Sequence, residues 1–315
     1  MPGGGPLPLP AAGQRPWDAL CLGLNASDHL CLIPRYPSRG SKIRMRRMIN
    51  SGGGQAATAA CALARLGHRV SYAGAVGDDE TGRLAGPRLA EFGVDTGGLV
   101  VKPGAHSQEA FILVEEGGGE RTIVWTRDEA CRLEPSDLNR AQIASCRLLH
   151  LDGHFVEASL EAARIARATG AVVTLDAERV QGGTAELVSL CHVVMGDSGF
   201  AQRLTGRDDP VEALRELAAM GPVWAGRTMG EHGAQMLADG ELFEHPGFPV
   251  EAVDTTGAGD VFHAGMAHAI LEGQAPRQAL ATACALAAIS VTALGGRTAL
   301  PERSALAAFL NDHPL

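Results

Sequence analysis

Lysine is nearly missing. Of the 27 basic residues in this 315-residue chain, only Lys42 and Lys102 are lysines. A Walker-type phosphate loop needs a lysine after glycine and before Ser or Thr, so that its ammonium reaches the β and γ phosphates while the hydroxyl holds Mg²⁺. Lys42 stands between Ser41 and Ile43, and Lys102 between Val101 and Pro103. Neither fits, so any nucleotide phosphates must be held by backbone amides, arginines or metal, and a Schiff-base lysine is confined to the same two positions. Aromatics make up only 4%, and 36 acids against the 27 bases give a net charge of −9. A nonspecific nucleic-acid binder wants a basic surface with stacking rings, so the expected partner is a small molecule and not nucleic acid. The seven cysteines are odd in number and scattered, with no C-x-x-C pair; they read as buried free thiols of a reducing cytosol. No apolar run of about 18 residues occurs, so no membrane partner and a cytoplasmic location are expected.

What is present alternates. A chain of about 300 residues can bury the core of one large α/β domain, and no linker or repeat interrupts it. We expect one domain over 17–315, preceded by a Pro- and Gly-rich leader, 1–16, that stays disordered. Ala19 to Leu24 reads as a buried strand, followed by polar Asn25 and Asp28. Six basic residues lie between Arg35 and Arg47, and alternation from Lys42 to Met45 has the period of a strand with one wet face. Ser51-Gly52-Gly53-Gly54 leads into a helix over Gln55 to Leu66 that stops at Gly67, then come a strand at Val70 to Ala75 and a helix at Thr81 to Phe92. Two alternating stretches, Glu109 to Val114 and Arg121 to Trp125, joined by Gly117-Gly118-Gly119, predict a hairpin. Beyond it strands at 148–151, 172–175, 192–195 and 223–224 alternate with helices at 160–169, 185–190 and 211–219. That order means a doubly wound parallel sheet flanked by helices, with a small β lid contributed by about 29–50 and 106–127.

The most informative stretch is Val253-Asp254-Thr255-Thr256-Gly257-Ala258-Gly259-Asp260, running directly into a helix over Val261 to Leu271. Glycines where a helix begins, its free first amides and the positive end of its dipole together make an anion pocket that needs no lysine. Asp260 sits at the mouth of that pocket. Aspartate is a favoured N-cap; the functional alternative is a general base that takes a proton from a hydroxyl attacking a phosphoryl group.

Asp254 to Asp260 resembles the second signature of the ribokinase-like (PfkB) carbohydrate kinases. Gly52 to Gly67, with Gly77-Asp78-Asp79 and Gly82, resembles the first. The resemblance runs from about Ala19 to Pro301. It implies an ATP- and Mg²⁺-dependent sugar kinase that transfers the γ-phosphoryl group to a primary hydroxyl. By position, it implies Asp260 as catalytic base and the amides of Gly257, Ala258 and Gly259 as anion hole. It further implies Asp28 as the carboxylate gripping sugar hydroxyls, supported by Gly54 and Gln55. Thr228, Gly230 and Gly233 fall on the nucleotide-side turn, and Asp254 and Thr256 on positions that hold a monovalent cation, K⁺, in relatives. Two positions depart from the pattern: Thr58 replaces the usual asparagine, and Asp197-Ser198-Gly199-Phe200 replaces an Asn-x-x-Glu that organises Mg²⁺, leaving Asp197 as the substitute.

Within the family the chain resembles ketohexokinases and sulfofructose kinases most. Gly52 to Ala60, Asp260-Val261-Phe262-His263 and Gly295-Gly296-Arg297 are similar to the sulfofructose enzymes, and Lys42 falls on their sulfonate-binding lysine. The asparagine and arginine that complete that clasp fall on Trp125 and His154, so a sulfonate would miss most of its charge-assisted bonds. Arg35-Tyr36-Pro37 and Arg121-Thr122-Ile123-Val124 are similar to ketohexokinase. The expected substrate is therefore a ketose such as fructose, with a sulfofructose or nucleoside kinase as alternatives. Outside kinases, His150-Asp152-His154 on one strand face raises a metal-dependent hydrolase, and lost catalysis would leave a sugar sensor, for which a base has no use. Exposed lid strands suggest a homodimer through the lid.

Overall fold

The computed structural model describes residues 5–117 and 120–314. Its strands are β1 (Trp17–Leu22), β2 (Ala26–Ile33), β3 (Arg47–Gly53), β4 (Val70–Gly77), β5 (Asp95–Lys102), β6 (Gln108–Glu115), β7 (Arg121–Thr126), β8 (Cys146–Leu151), β9 (Val172–Ala177), β10 (Val193–Gly196), β11 (Trp224–Thr228), β12 (Ala234–Ala238) and β13 (Glu241–His245). Among the described residues nine of these form one sheet in the order β13-β12-β11-β10-β9-β8-β1-β4-β5, and the other four form a second, β3-β2-β6-β7. From β11 to β5 every pairing in the large sheet is parallel. Strands covered on both faces need apolar residues throughout, and β4, β8, β9 and β10 are buried along their whole lengths. One apolar cluster, with Tyr72, Leu63 and Met266, fills one face of the sheet, and another, with Leu149, Val173 and Phe200, fills the other. This is an α/β fold with a doubly wound sheet and a smaller lid sheet.

Several expectations need correcting. Residues 42–45 lie in an irregular loop between β2 and β3 rather than in a strand, because nothing pairs with their alternation. The leader is not loose over its described part, 5–16. Leu7 is buried in the core, Arg147 Nε donates to the Pro10 carbonyl at 2.8 Å, and Arg15 donates to the carbonyls of Cys146 and Thr169. The alternating pattern shows neither β5, which Gly97 and Gly98 interrupt, nor the β12–β13 hairpin at the far sheet edge. Of the expected hairpin glycines, Gly118 and Gly119 lie outside the described residues; β6 and β7 on either side pair antiparallel. All seven cysteines are free, six of them buried. No helix among the described residues is long and apolar enough to cross a membrane.

Candidate active site

In open parallel sheets ligands sit beyond the carboxyl ends of the strands, beside the strand where the winding reverses. Here the reversal flanks β1, which pairs with β4 on one side and β8 on the other. A cavity of about 510 Å³ opens at that point, beneath the lid sheet. Its floor comes from chain just past the strand ends: Leu24 after β1, His154 after β8, Asp176 and Glu178 at β9, Asp197 after β10 and Thr228 at the end of β11. Its roof comes from Asp28, Ile112, Arg121 and Trp125 of the lid.

Asp260 faces this cavity from the first turn of the helix Ala258–Leu271, whose N-cap Gly257 has φ 75°. A side chain at that φ is strained, and a Cβ there would lie 3.1 Å from the Gly296 Cα, so the turn requires glycine. The amide of Ala258 closes the turn on the Thr255 carbonyl at 3.2 Å, and Val261 is bonded to the Gly257 carbonyl at 2.9 Å. Ala258 does not line the cavity, whereas Gly257 and Gly259 do. Of the three residues expected to form the anion hole, Gly257 and Gly259 therefore border the cavity, while the Ala258 amide is bonded within the turn. Asp260 is half-buried; burial, with Asp176, Asp28 and Asp152 nearby, holds its carboxyl well above the usual range, and Arg121 opposes this. A carboxylate raised in this way is the stronger proton acceptor.

Asp28 points into the same space from β2. Burial raises its pKa to about 6, with Asp254 adding to the rise and Arg297, His29 and Arg88 opposing it. Gly54 and Gln55 line the cavity where the helix Gln55–Arg65 begins. The Gln55 amide donates to Asp176 at 3.4 Å and to Glu178 at 3.3 Å, and its carbonyl contacts His154. Asp176 is also paired with His263 at 3.0 Å, which with its neighbours holds its carboxyl down despite burial.

Besides Ala258, five expected site residues do not line the cavity. Thr58 is turned away from the cavity and accepts a bond from Arg297 Nε at 3.2 Å. Lys42 is exposed in its loop and does not line the cavity. Asp254 accepts from the Thr256 amide at 2.9 Å, the Thr256 hydroxyl at 2.7 Å and the Gly295 amide at 2.8 Å. That carboxylate staples two loops and does not line the cavity, whereas Thr256 does. Gly233 is fixed by packing, since a Cβ there would lie 1.9 Å from the His245 carbonyl. Gly230, like Gly233, does not line the cavity, whereas Thr228 does. Asp197 lines it too, with one oxygen accepting from the Gly199 amide at 2.8 Å and the other from Arg203 at 2.6 Å.

The His-Asp-His strand also resolves. Asp152 accepts from the amides of Leu24 at 2.6 Å, Ala56 at 3.3 Å and His154 at 3.1 Å, tying β1, the following helix and β8 together. His150 is bonded to Thr174 at 3.0 Å, and burial pushes its pKa down to about 4. The three side chains are engaged separately and offer no shared metal position.

Sequence reasoning missed Arg121, Asp176, Glu178 and Arg297. Asp176 and Glu178 had a usable signal, since they follow directly on the predicted strand at 172–175. Arg121 ties the lid sheet to the turn before Asp260, donating from Nη1 to the Thr255 hydroxyl at 2.6 Å. That contact joins residues 134 positions apart, which no local pattern shows.

The amino-acid sequence matches the pfkB family carbohydrate kinase over residues 24–303. The chain belongs to the PfkB family. It is 30% identical over 292 residues to the ATP-dependent ribose-1-phosphate kinase of Halopiger xanaduensis, covering 89% of this chain and 93% of that protein. It is 32% identical to a fructokinase of Klebsiella pneumoniae, covering 82% and 92%. The crystal structure of a putative ribokinase from Agrobacterium tumefaciens superposes with a TM-score of 0.88 at 32% identity, over 94% of this chain and 98% of that one. As a PfkB kinase the protein is a phosphotransferase acting on a sugar or nucleoside hydroxyl.

Proposed function

We propose that this PfkB kinase transfers the γ-phosphoryl group of ATP to a primary hydroxyl of a ketose such as fructose, with Asp260 as general base. The observation that carries the reading is the placement of Asp260 and Asp28 in one cavity, one on the helix start and one on the lid. Asp28 and Gln55 orient the sugar. Asp260 takes the proton of the hydroxyl as its oxygen attacks the γ phosphorus, and ADP leaves. The amides of Gly257 and Gly259 and the lid cation Arg121 meet the charge on the transferring group. Mg²⁺ prefers one or two carboxylates together with phosphate oxygens, and the acidic cavity wall fits that: Asp197 and Glu178 would hold it, and the ion would shield phosphate charge. Thr228 lies on the same side, where the nucleotide would enter.

The fructokinase relative and the similarity of Arg121 to Val124 to ketohexokinases support the ketose over a nucleoside. So does a wall of charged side chains where a base would want an apolar slot. ADP release measured across ketoses, aldoses, nucleosides, sugar phosphates and sulfofructose tests this. Highest kcat/KM on a ketose, neutral or anionic, is expected, and highest kcat/KM on a nucleoside would replace the reading.

A homodimer through the lid belongs to the same reading. β7 is exposed along its whole length at the edge of the lid sheet, and Met48, Phe111 and Val124 are more than half exposed. The expected solution mass is twice the 32.7 kDa of the chain, falling to the monomer when Val124 and Phe111 are both made Lys. A monomeric parent protein would end this proposal.

A further inference from the structure

Arg127, just past β7, and Arg179, just past β9, line the cavity together. Neither has a carboxylate partner among the described residues. Arg179 lies over the Trp125 ring at 5.4 Å, and Arg127 over the Phe155 ring at 5.6 Å. Arg127 Nη1 is buried with no hydrogen-bond partner. The two cations feel each other, and burial, joined by both of them, holds the neighbouring His154 down. The carboxylate whose charge reaches Arg127, Asp152, already accepts three backbone amides.

Two like charges side by side, one with an orphaned donor, cost stability unless something answers them. A bound anion answers both, and guanidinium groups hold carboxylates and phosphates with paired, charge-assisted bonds. The nucleotide's phosphates are a poor fit for that anion. Arg121 is bonded to Thr255 on the turn that carries Asp260, whereas Arg179 and Arg127 stack on Trp125 and Phe155 away from that turn. The pair therefore addresses the end of the sugar remote from the reacting hydroxyl.

We propose that the acceptor sugar carries an anionic group, a carboxylate, phosphate or sulfonate, at the end remote from the phosphorylated hydroxyl, and that Arg127 and Arg179 hold it. This deepens the kinase reading above and rests on its placement of Asp260 at the reacting end. It also moves anion recognition from Lys42, which is out in solvent, to the arginines of the cavity wall.

The test compares fructose and ribose with the same sugars bearing a carboxylate, phosphate or sulfonate at the remote carbon, each as a separate arm. At least one anionic sugar is expected to exceed its neutral parent on the order of 10²-fold in kcat/KM. Arg127→Met and Arg179→Met should each cut that preference at least about tenfold, through the sugar KM, with the ATP KM unmoved. Neutral parents used as well as every anionic form would overturn the inference. So would variants that raise the ATP KM and leave the sugar preference intact. A second readout needs no turnover: without ATP, the preferred anionic sugar should raise the Tm of Asp260→Asn protein more than its neutral parent does, and an equal rise counts against the proposal. Should Asp260→Asn retain full activity, the base assignment fails, while the preference ratio and the Tm shift still decide the anion site.

Discussion

Asp260→Asn is expected to lower turnover by on the order of 10² to 10⁴-fold, the range for loss of a positioned general base, with the KM for ATP little changed. The amide is the same size and keeps the first helical turn, so the loss measures proton acceptance. Asp260 is half-buried among Asp28, Asp152 and Asp176, and its carboxyl sits well above the usual range, with burial as the leading cause. The sign of the linkage follows: a carboxyl whose folded-state pKa is raised destabilises the fold once it is ionised, from the unfolded-state value upward. At pH 8 the Asn variant should therefore melt no lower than the parent while being nearly inactive. That opposition separates a catalytic group from a structural one. In the parent, kcat/KM should climb as pH rises through the pKa of Asp260. Near-normal turnover in the variant, or a lower Tm with turnover unchanged, would return Asp260 to a plain capping role.

Arg297→Met should bring the largest loss of stability. Arg297 is buried, donating from Nε to Thr58 at 3.2 Å and from Nη2 to the Gly53 carbonyl at 2.6 Å. Its Nη1 would lie 2.3 Å from a Cβ at position 52, so the glycine run and the guanidinium are packed face to face. It is also first among the groups that oppose the rise of Asp28. Asp28, at about 6 against 3.8 unfolded, costs nothing below pH 3.8. The cost grows as pH rises through the folded value, reaching about 3 kcal/mol. Removing Arg297 raises that folded value further, so the penalty deepens and its window extends upward in pH. Near pH 4, where Asp28 is protonated, only the two lost hydrogen bonds count, about 1–3 kcal/mol. At pH 8 the ionised carboxylate, without that neighbouring cation, adds to them, for a total of about 3–5 kcal/mol. Thermal melts at the two pH values check this, and a Tm deficit independent of pH would show that Arg297 does not act through Asp28. The KM for sugar should rise as well, since Asp28 loses the cation that most favours its ionised form.

The role of Thr58 follows from the same contact. In sequence it stands where an asparagine usually reaches the sugar, and a hydroxyl is short for that reach. Arg297 comes in from 239 residues away and takes the hydroxyl, which leaves Asp28 and Gln55 to define that side of the cavity. Local pattern carried no sign of the partner.

The sequence by itself determined the strand–helix alternation, and hence the parallel sheet, because the period of buried residues follows from backbone geometry. It also determined the turn from Asp254 to Asp260, because adjacent glycines at a helix start have local consequences: free amides, a positive dipole end and a carboxylate at its mouth. The near absence of lysine left phosphate recognition, in the proposed reading, to backbone amides, arginine or metal. Only the tertiary structure decided which arginines. Arg121, Arg127, Arg179 and Arg297 lie in four separate stretches, and their roles depend on what the fold sets beside them: a threonine hydroxyl, a second guanidinium, an aromatic ring, a buried aspartate. Charge acts through space at distances unrelated to sequence separation. Lys42, prominent as one of two lysines, therefore ends in solvent, while cations that looked ordinary in the sequence line the cavity.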